Sequence, residues 1–393
     1  MEFLFYIPFK MRNFLLIAVL FMSSFSFGQF ETIDAKMDAM PDSLESSTTT
    51  IAHYISENFS TDDAKIRAVF YWTASTISYD VENMFKQKPN QTSEYKIKTT
   101  LATKKGVCMH YAEVFKDIAT KVGIKTVVIE GYTKQDGKIA TIGHSWNASK
   151  INGIWYLFDP TWGSGYVNDQ HYYRKLNNIY FKSDALSFGE AHMPFDYLWE
   201  LKEYPITNQE FYDGKTSSST NTTKFDFNLE IDKNEALSNL DRAIAVANRI
   251  EKNGVVNNLI SDRIVVAKKE IDYYKETGTI VQLETIVAGF NTATNQLNSF
   301  IAFRNNKFQP AIEDDALKTK LQIPFDLITK YQEQVNNITV SKENTANLIS
   351  LKKAIAAAKE IADTQMIFLN DYLTQDKDSR IKMFFKIKKV AKH

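Results

Sequence analysis

Apolar positions in the first half of the chain change period several times, and each change predicts an element. Residues 48–59 carry a helical pattern. In "DDAKIRAVFYWTASTISYD" (62–80), Ile66, Val69, Phe70, Thr73 and Ile77 recur at helical spacing behind an acidic pair, which predicts a second helix. Residues 81–100 are polar, contain Pro89, and read as loop. Between Gly106 and Gly123, residues Cys108, Ala112, Phe115, Ala119 and Val122 fall at i, i+4, i+7, i+11 and i+14. That is one face of a helix, with Cys108 in its first turn. Three strand-like runs follow at 125–134, 144–151 and 154–162. Asn152-Gly153, between the last two, is a two-residue hairpin signal. Residues 163–213 are aromatic and irregular, with Pro194 and Pro205.

The stretch "GKTSSSTNTTK" (214–224) reads as a linker. Beyond it the pattern becomes helical throughout. One run is Leu237, Leu240, Ile244, Ala247 and Ile250, up to Gly254. Another is Leu259, Ile260, Ile264, Ala267 and Ile271, up to about Gly278. A third is Leu283, Ile286, Phe290, Leu297 and Ile301, and a fourth covers 342–373. No fixed-period repeat is present. The expectation is an α+β domain over 29–213 and an all-α helical bundle over 225–393.

Charge narrows the function. Lys plus Arg equals Asp plus Glu at 47 each, so there is no global basic field for nucleic acid. "RIKMFFKIKKVAKH" (380–393) is read as a solvated helix end rather than a membrane contact. The first 28 residues read as an export signal: Lys10 and Arg12, the apolar run Phe14 to Met22, then small Ser26 and Gly28 before Gln29. Met1 and Met11 are both possible starts. The expected location is outside the cytoplasm, in the periplasm, the cell envelope or the medium. Disulfides form in such compartments, yet the chain has a single Cys. Cys108 is then either a small buried hydrophobe or a reactive thiol, and its neighbours must decide.

The hairpin allows a geometric reading. A two-residue Asn152-Gly153 turn pairs Ile151 with Ile154, sets Trp146 opposite Asp159, and puts His144, Trp146, Leu157 and Asp159 on one face. His144 and Asp159 become diagonal neighbours, with backbones about 7–8 Å apart, a gap that an imidazole and a carboxylate can close. The helix presenting Cys108 is expected on that same face. A thiol with pKa near ~8.5 is mostly protonated at neutral pH, and a helix N-terminus and an adjacent imidazolium both favour the thiolate. A carboxylate fixes the imidazole tautomer. Backbone N–H groups at the helix start are placed to hold an oxyanion.

"KGVCMHYAEVF", "GHSWN" and "WYLFDPTWG" resemble, in that order, the Cys, His and Asp blocks of the transglutaminase-like superfamily. "KIRAVFYWTASTISYD" resembles the helix that precedes them, and 179–212 the segment that follows in the kyphoscoliosis-peptidase-type branch. The resemblance covers about residues 62–213. It implies a papain-like α+β core with the nucleophile's helix packed on an antiparallel sheet. It also implies Cys108 as nucleophile, His144 as base and Asp159 as orienter. His110 and Ser145 stand where small residues are more usual, and no calcium-loop pattern appears.

The resulting expectation is a cysteine hydrolase or acyl transferase. It acts on amide bonds of proteins or peptides through a Cys108 thioester, with no cofactor and no metal. The alternative is an inert domain that binds protein at the cell envelope, with the C-terminal helices offering a partner surface. Trp146 is the candidate for lining the substrate cleft. His110 is expected on the surface, and His192 is given a structural role beside Pro194.

Overall fold

The computed structural model describes residues 30–86, 91–217 and 220–385. The expected export segment and the end of the basic tail lie outside the described residues. The chain divides into two compact units, Met1–Lys268 and Lys269–His393.

The first unit begins with a helix over 30–38, held to the body by a part-buried ion pair. Arg67 is fully buried and places its guanidinium on Asp34, 2.8 Å from Oδ1 and 2.5 Å from Oδ2. Four helices follow: α1 (Thr48–Asn58), α2 (Asp62–Thr76), α3 (Ser93–Thr103) and α4 (Cys108–Lys121). Each of the first three starts on a hydroxyl cap, Ser47, Thr61 and Thr92, which accepts an otherwise unpaired N–H. Helix α3 occupies part of the stretch expected to be loop. It turns little apolar surface inward, chiefly Leu101 beside the partly buried Ile97, so its apolar period is weak.

The sheet is antiparallel. Its strands are β1 (Lys125–Gln135), β2 (Lys138–Ile139), β3 (His144–Ile151), β4 (Ile154–Phe158) and β5 (His192–Pro194). Their order is β2-β1-β3-β4, with β5 added to β1 through Thr133 and His192. The register counted from the turn is the observed one: Ile151 faces Ile154 and Asn147 faces Phe158. Asn152 and Gly153 both have positive φ, 51° and 83°, as a tight right-twisted hairpin requires. The strand expected over 154–162 ends at Phe158. Pro160 cannot donate to a ladder, and Asp159 instead caps the short helix Pro160–Ser164.

Helix α4 does not pack where the sequence reading set it. Asn147 Nδ2 donates to the Ala112 carbonyl at 3.0 Å, and Phe115 meets Phe158 at 5.4 Å between centroids. The helix therefore covers the Asn147/Phe158 face. Trp146, Ala148, Trp155 and Leu157 point the other way, into a second core closed by Phe188, Leu198, Leu201 and Ile231. Alternation had put His144 on the Trp146 face correctly, and Cys108 approaches it past the end of the strand from the other side.

The expected boundary at 214–224 falls within the first unit. Helices α5 (Phe227–Ala236) and α6 (Asn239–Lys252), and the start of α7 (Asn258–Asn305), belong to this unit and not to a separate bundle. Ile250, Ile260 and Ile264 form one core with Tyr132, Met193, Phe195 and Phe211. Arg249 adds two hydrogen bonds to Asp196, each 2.7 Å. A polar connecting segment marks a surface crossing, and the apolar periods on either side of it do not reveal that their faces meet.

The second unit is helical. It holds the remainder of α7, then α8 (Asp314–Asn336) and α9 (Thr345–Thr374), around Leu297, Phe300, Leu321, Ile328, Ile355 and Leu369. The two runs expected to end and restart near Gly278 are one 48-residue helix. Helix α8 carries a buried Pro324 in its interior, which breaks the usual sequence signal. Among the described residues, no helix is long and apolar enough to cross a membrane.

Candidate active site

Cys108 is the first residue of α4, and Val107 before it is extended, with φ −99° and ψ 179°. The preceding Gly106 has a steric reason: a Cβ there would lie 2.5 Å from His110 Cβ. His110 folds back over this turn, its Nδ1 accepting from the Val107 N–H at 3.3 Å. The sequence reading put His110 on the surface, and the structure buries it. Burial lowers its pKa, and the charge of Lys96, on the unexpected helix α3, lowers it further.

His144 opens β3 and donates its Nε2–H to Asp159 Oδ2 at 2.7 Å. Cys108 shares the cleft with it and is among the groups that act on its titration. Burial alone would lower the His144 pKa. The charge of Asp159, its hydrogen bond and the Cys108 sulfur outweigh that and raise it to about 10. The helix-capping role of Asp159 keeps its carboxylate still: Oδ1 accepts from the backbone N–H of Thr161 at 2.9 Å and of Trp162 at 3.0 Å.

His192 is the site residue that sequence reasoning missed. Its Nε2 lies 3.0 Å from Asp159 Oδ2, so one carboxylate oxygen takes hydrogen bonds from two imidazoles. Only the β1–β5 pairing brings it there. Phe188 stacks on it at 3.9 Å, and Trp162 and Trp146 close its other sides at 4.5 and 5.2 Å. Burial lowers its pKa, opposed by Asp159 and reinforced by the charge of His144. Asp159 is fully buried, which would raise its pKa. The His144 charge and the two imidazole hydrogen bonds reverse this and hold it far below the ordinary carboxylate range.

Cys108 and His144 open onto a cleft of about 1040 Å³, whose walls include Tyr79, Phe85, Trp162 and Tyr166. Trp146, expected to border the cleft, is 1% exposed and belongs to the core behind His144. Trp162 takes that position, 5.5 Å from the His144 ring. The ligand atoms of His144, Asp159 and His192 lie within 4.8 Å of one another, close enough to hold a metal ion. Both imidazoles, however, aim N–H groups at the same oxygen, and a ligating nitrogen must be free of its proton. Hydrogen bonding accounts for the arrangement.

Such a helix, sheet and Cys–His–Asp alignment define a transglutaminase-like domain, and the transglutaminase-like superfamily model matches residues 49–160. Kyphoscoliosis peptidase of Mus musculus is 30% identical over 190 residues, covering 46% of this chain and 28% of that protein. Kyphoscoliosis peptidase of Homo sapiens is 31% identical over 159 residues, covering 38% of this chain and 24% of that protein. Hillarin of Drosophila melanogaster is 23% identical over 206 residues, covering 47% and 24%. The chain thus spans about a quarter of the length of these curated relatives.

Proposed function

We propose that the domain is an acyl-transfer enzyme acting on amide bonds of proteins or peptides through a thioester at Cys108. One observation carries this reading: Cys108 and His144 line one open cleft, and His144 is hydrogen-bonded to the anchored Asp159 at 2.7 Å. With its pKa raised, His144 holds a proton at neutral pH that it can give to a leaving group. The Cys108 thiolate attacks the amide carbonyl carbon, and the π electrons move to oxygen. The intermediate collapses as His144 gives its proton to the departing amine, leaving a thioester. His144, now neutral, takes a proton from water or from an amine as either attacks. Water gives hydrolysis or deamidation, and an amine gives a cross-link. Asp159 holds the ring and stabilises its charge.

The test is mass spectrometry of the protein incubated with glutamine-containing peptides, with and without a primary amine. The expected result is an acyl adduct on Cys108 that is absent from Cys108→Ala. No adduct under any condition, with an unchanged cellular role for Cys108→Ala, would favour the inert binding domain. We further propose export, tested by N-terminal sequencing of protein recovered from the cell envelope. The C-terminal helices are proposed as a protein-binding surface, and deleting them is expected to abolish capture of a partner while sparing acylation.

A further inference from the structure

Tyr79 packs against the first core and is also held through its backbone. It lies in a two-residue parallel bridge in which Ser78 faces Lys105 and Tyr79 faces Gly106, two residues before Cys108. Backbone bonds flank it on both sides: Ser78 N–H donates to the Lys104 carbonyl at 2.8 Å, and Asp80 N–H to the Gly106 carbonyl at 3.0 Å. Arg174 ties the same segment down from another direction. Its guanidinium donates to the carbonyls of Ala74 and Ile77 and to Ser78 Oγ, at 2.8, 3.1 and 2.8 Å. The Tyr79 side chain, half-buried, then lines the cleft together with Cys108 and His144. Two neighbouring tyrosine hydroxyls are committed: Tyr111 donates to the Ile77 carbonyl and Tyr172 to the Ser164 carbonyl. Among the described residues the Tyr79 hydroxyl has no hydrogen-bond partner.

From this placement we propose that the Tyr79 hydroxyl donates to the oxyanion that forms when Cys108 attacks a carbonyl, working with the Cys108 backbone N–H at the start of α4. The inference deepens the acyl-transfer reading and rests on it. A donor aimed at developing charge must be preorganised and must keep its proton. The bridge and Arg174 supply the first condition. For the second, burial, the Cys108 sulfur and Asp159 together push the Tyr79 pKa far above that of a free phenol, so the hydroxyl stays protonated across the working range.

Two reagents separate the role from simple packing. p-Nitrophenyl acetate acylates a thiolate through a tetrahedral intermediate: sulfur bonds to the carbonyl carbon, negative charge builds on oxygen, and p-nitrophenolate leaves. Iodoacetamide alkylates the same thiolate by displacing iodide and forms no oxyanion. Tyr79→Phe keeps the ring and removes only the donor. It is expected to slow Cys108 acylation about tenfold or more, the loss of one such donor being on the order of 10²–10³ in amide chemistry. Alkylation by iodoacetamide should change less than about twofold. Equal acylation rates in the two proteins overturn the proposal, and so does an equal slowing of both reagents, which would assign Tyr79 to the thiol itself. A Tyr79→Phe protein with a lowered melting temperature is compared with Tyr79→Leu, and the proposal falls if the acylation loss follows melting temperature rather than the hydroxyl. If the ester results hold but no peptide amide is ever turned over, the amide-acting reading fails while Tyr79 keeps its role. If wild-type Cys108 is not acylated faster than free cysteine, both fall.

Discussion

His192 donates to the same Asp159 oxygen as His144, at 3.0 Å against 2.7 Å, from a strand thirty-three residues further along the chain. Two imidazoles on one buried oxygen cannot both carry charge at low cost, and burial keeps His192 the neutral one. It serves as a positioning residue that supplies a second hydrogen bond to the carboxylate without competing for the proton.

Replacing His192 by Ala is expected to leave a cavity among Phe188, Trp162 and Trp146 and to remove one donor from Asp159. The stability loss should be about 2–4 kcal/mol. His192→Gln keeps a donor and should recover most of the activity but not all of the packing. Urea unfolding and acylation rates measured on both variants check this. Equal acylation by Ala and Gln variants would remove the hydrogen bond from the account.

Asp159→Asn keeps the oxygen that caps Pro160–Ser164 but turns an amide toward two imidazole N–H groups. One or both rings must change tautomer, so acyl transfer should fall by roughly 10⁴. The helix cap is retained, so far-ultraviolet circular dichroism should be close to wild type. Full turnover of a glutamine peptide by this variant would contradict the assigned role.

The pH dependence of stability follows from the same pair. The folded-state pKa of His144, about 10, exceeds its ordinary value of 6.5. Its contribution is therefore complete below that ordinary value and is lost as pH rises through about 10. Asp159 is depressed, so its contribution is present above the ordinary carboxylate value and is lost as pH falls toward its folded value. The pair stabilises most between about pH 4 and 6.5. The stability difference between wild type and His144→Gln, measured in urea across a pH series, should be flat in that window and shrink steadily toward pH 10. A difference that grows with pH would reverse the sign of the argument.

A fragment of residues 30–215 should be poorly soluble, because it exposes Tyr132, Met193, Phe195 and Phe211 where Ile250, Ile260 and Ile264 normally sit. A fragment of 30–268 should fold, with a cooperative melt. Limited proteolysis is expected to cut near 214–224 without releasing α5 and α6, since Arg249 and Ile231 hold them. Release of a stable 30–215 core on native gel filtration would show that these helices are dispensable.

What was legible in advance was local. The Asn152-Gly153 turn and a period of two sufficed to set the β3–β4 register, and so to bring His144 and Asp159 onto one face, because each depends on residues within one hairpin. The spacing of Cys108, Ala112 and Phe115 likewise specified the buried side of α4, and the resemblance of three ordered blocks supplied their shared identity. None of this reached beyond adjacent elements. Which sheet face α4 covers, the burial of His110, the docking of α5 and α6, and the arrival of His192 at Asp159 were decided by tertiary structure alone. Each joins segments whose separate apolar periods are satisfied equally well by several partners, and only the simultaneous packing of the cores selects among them.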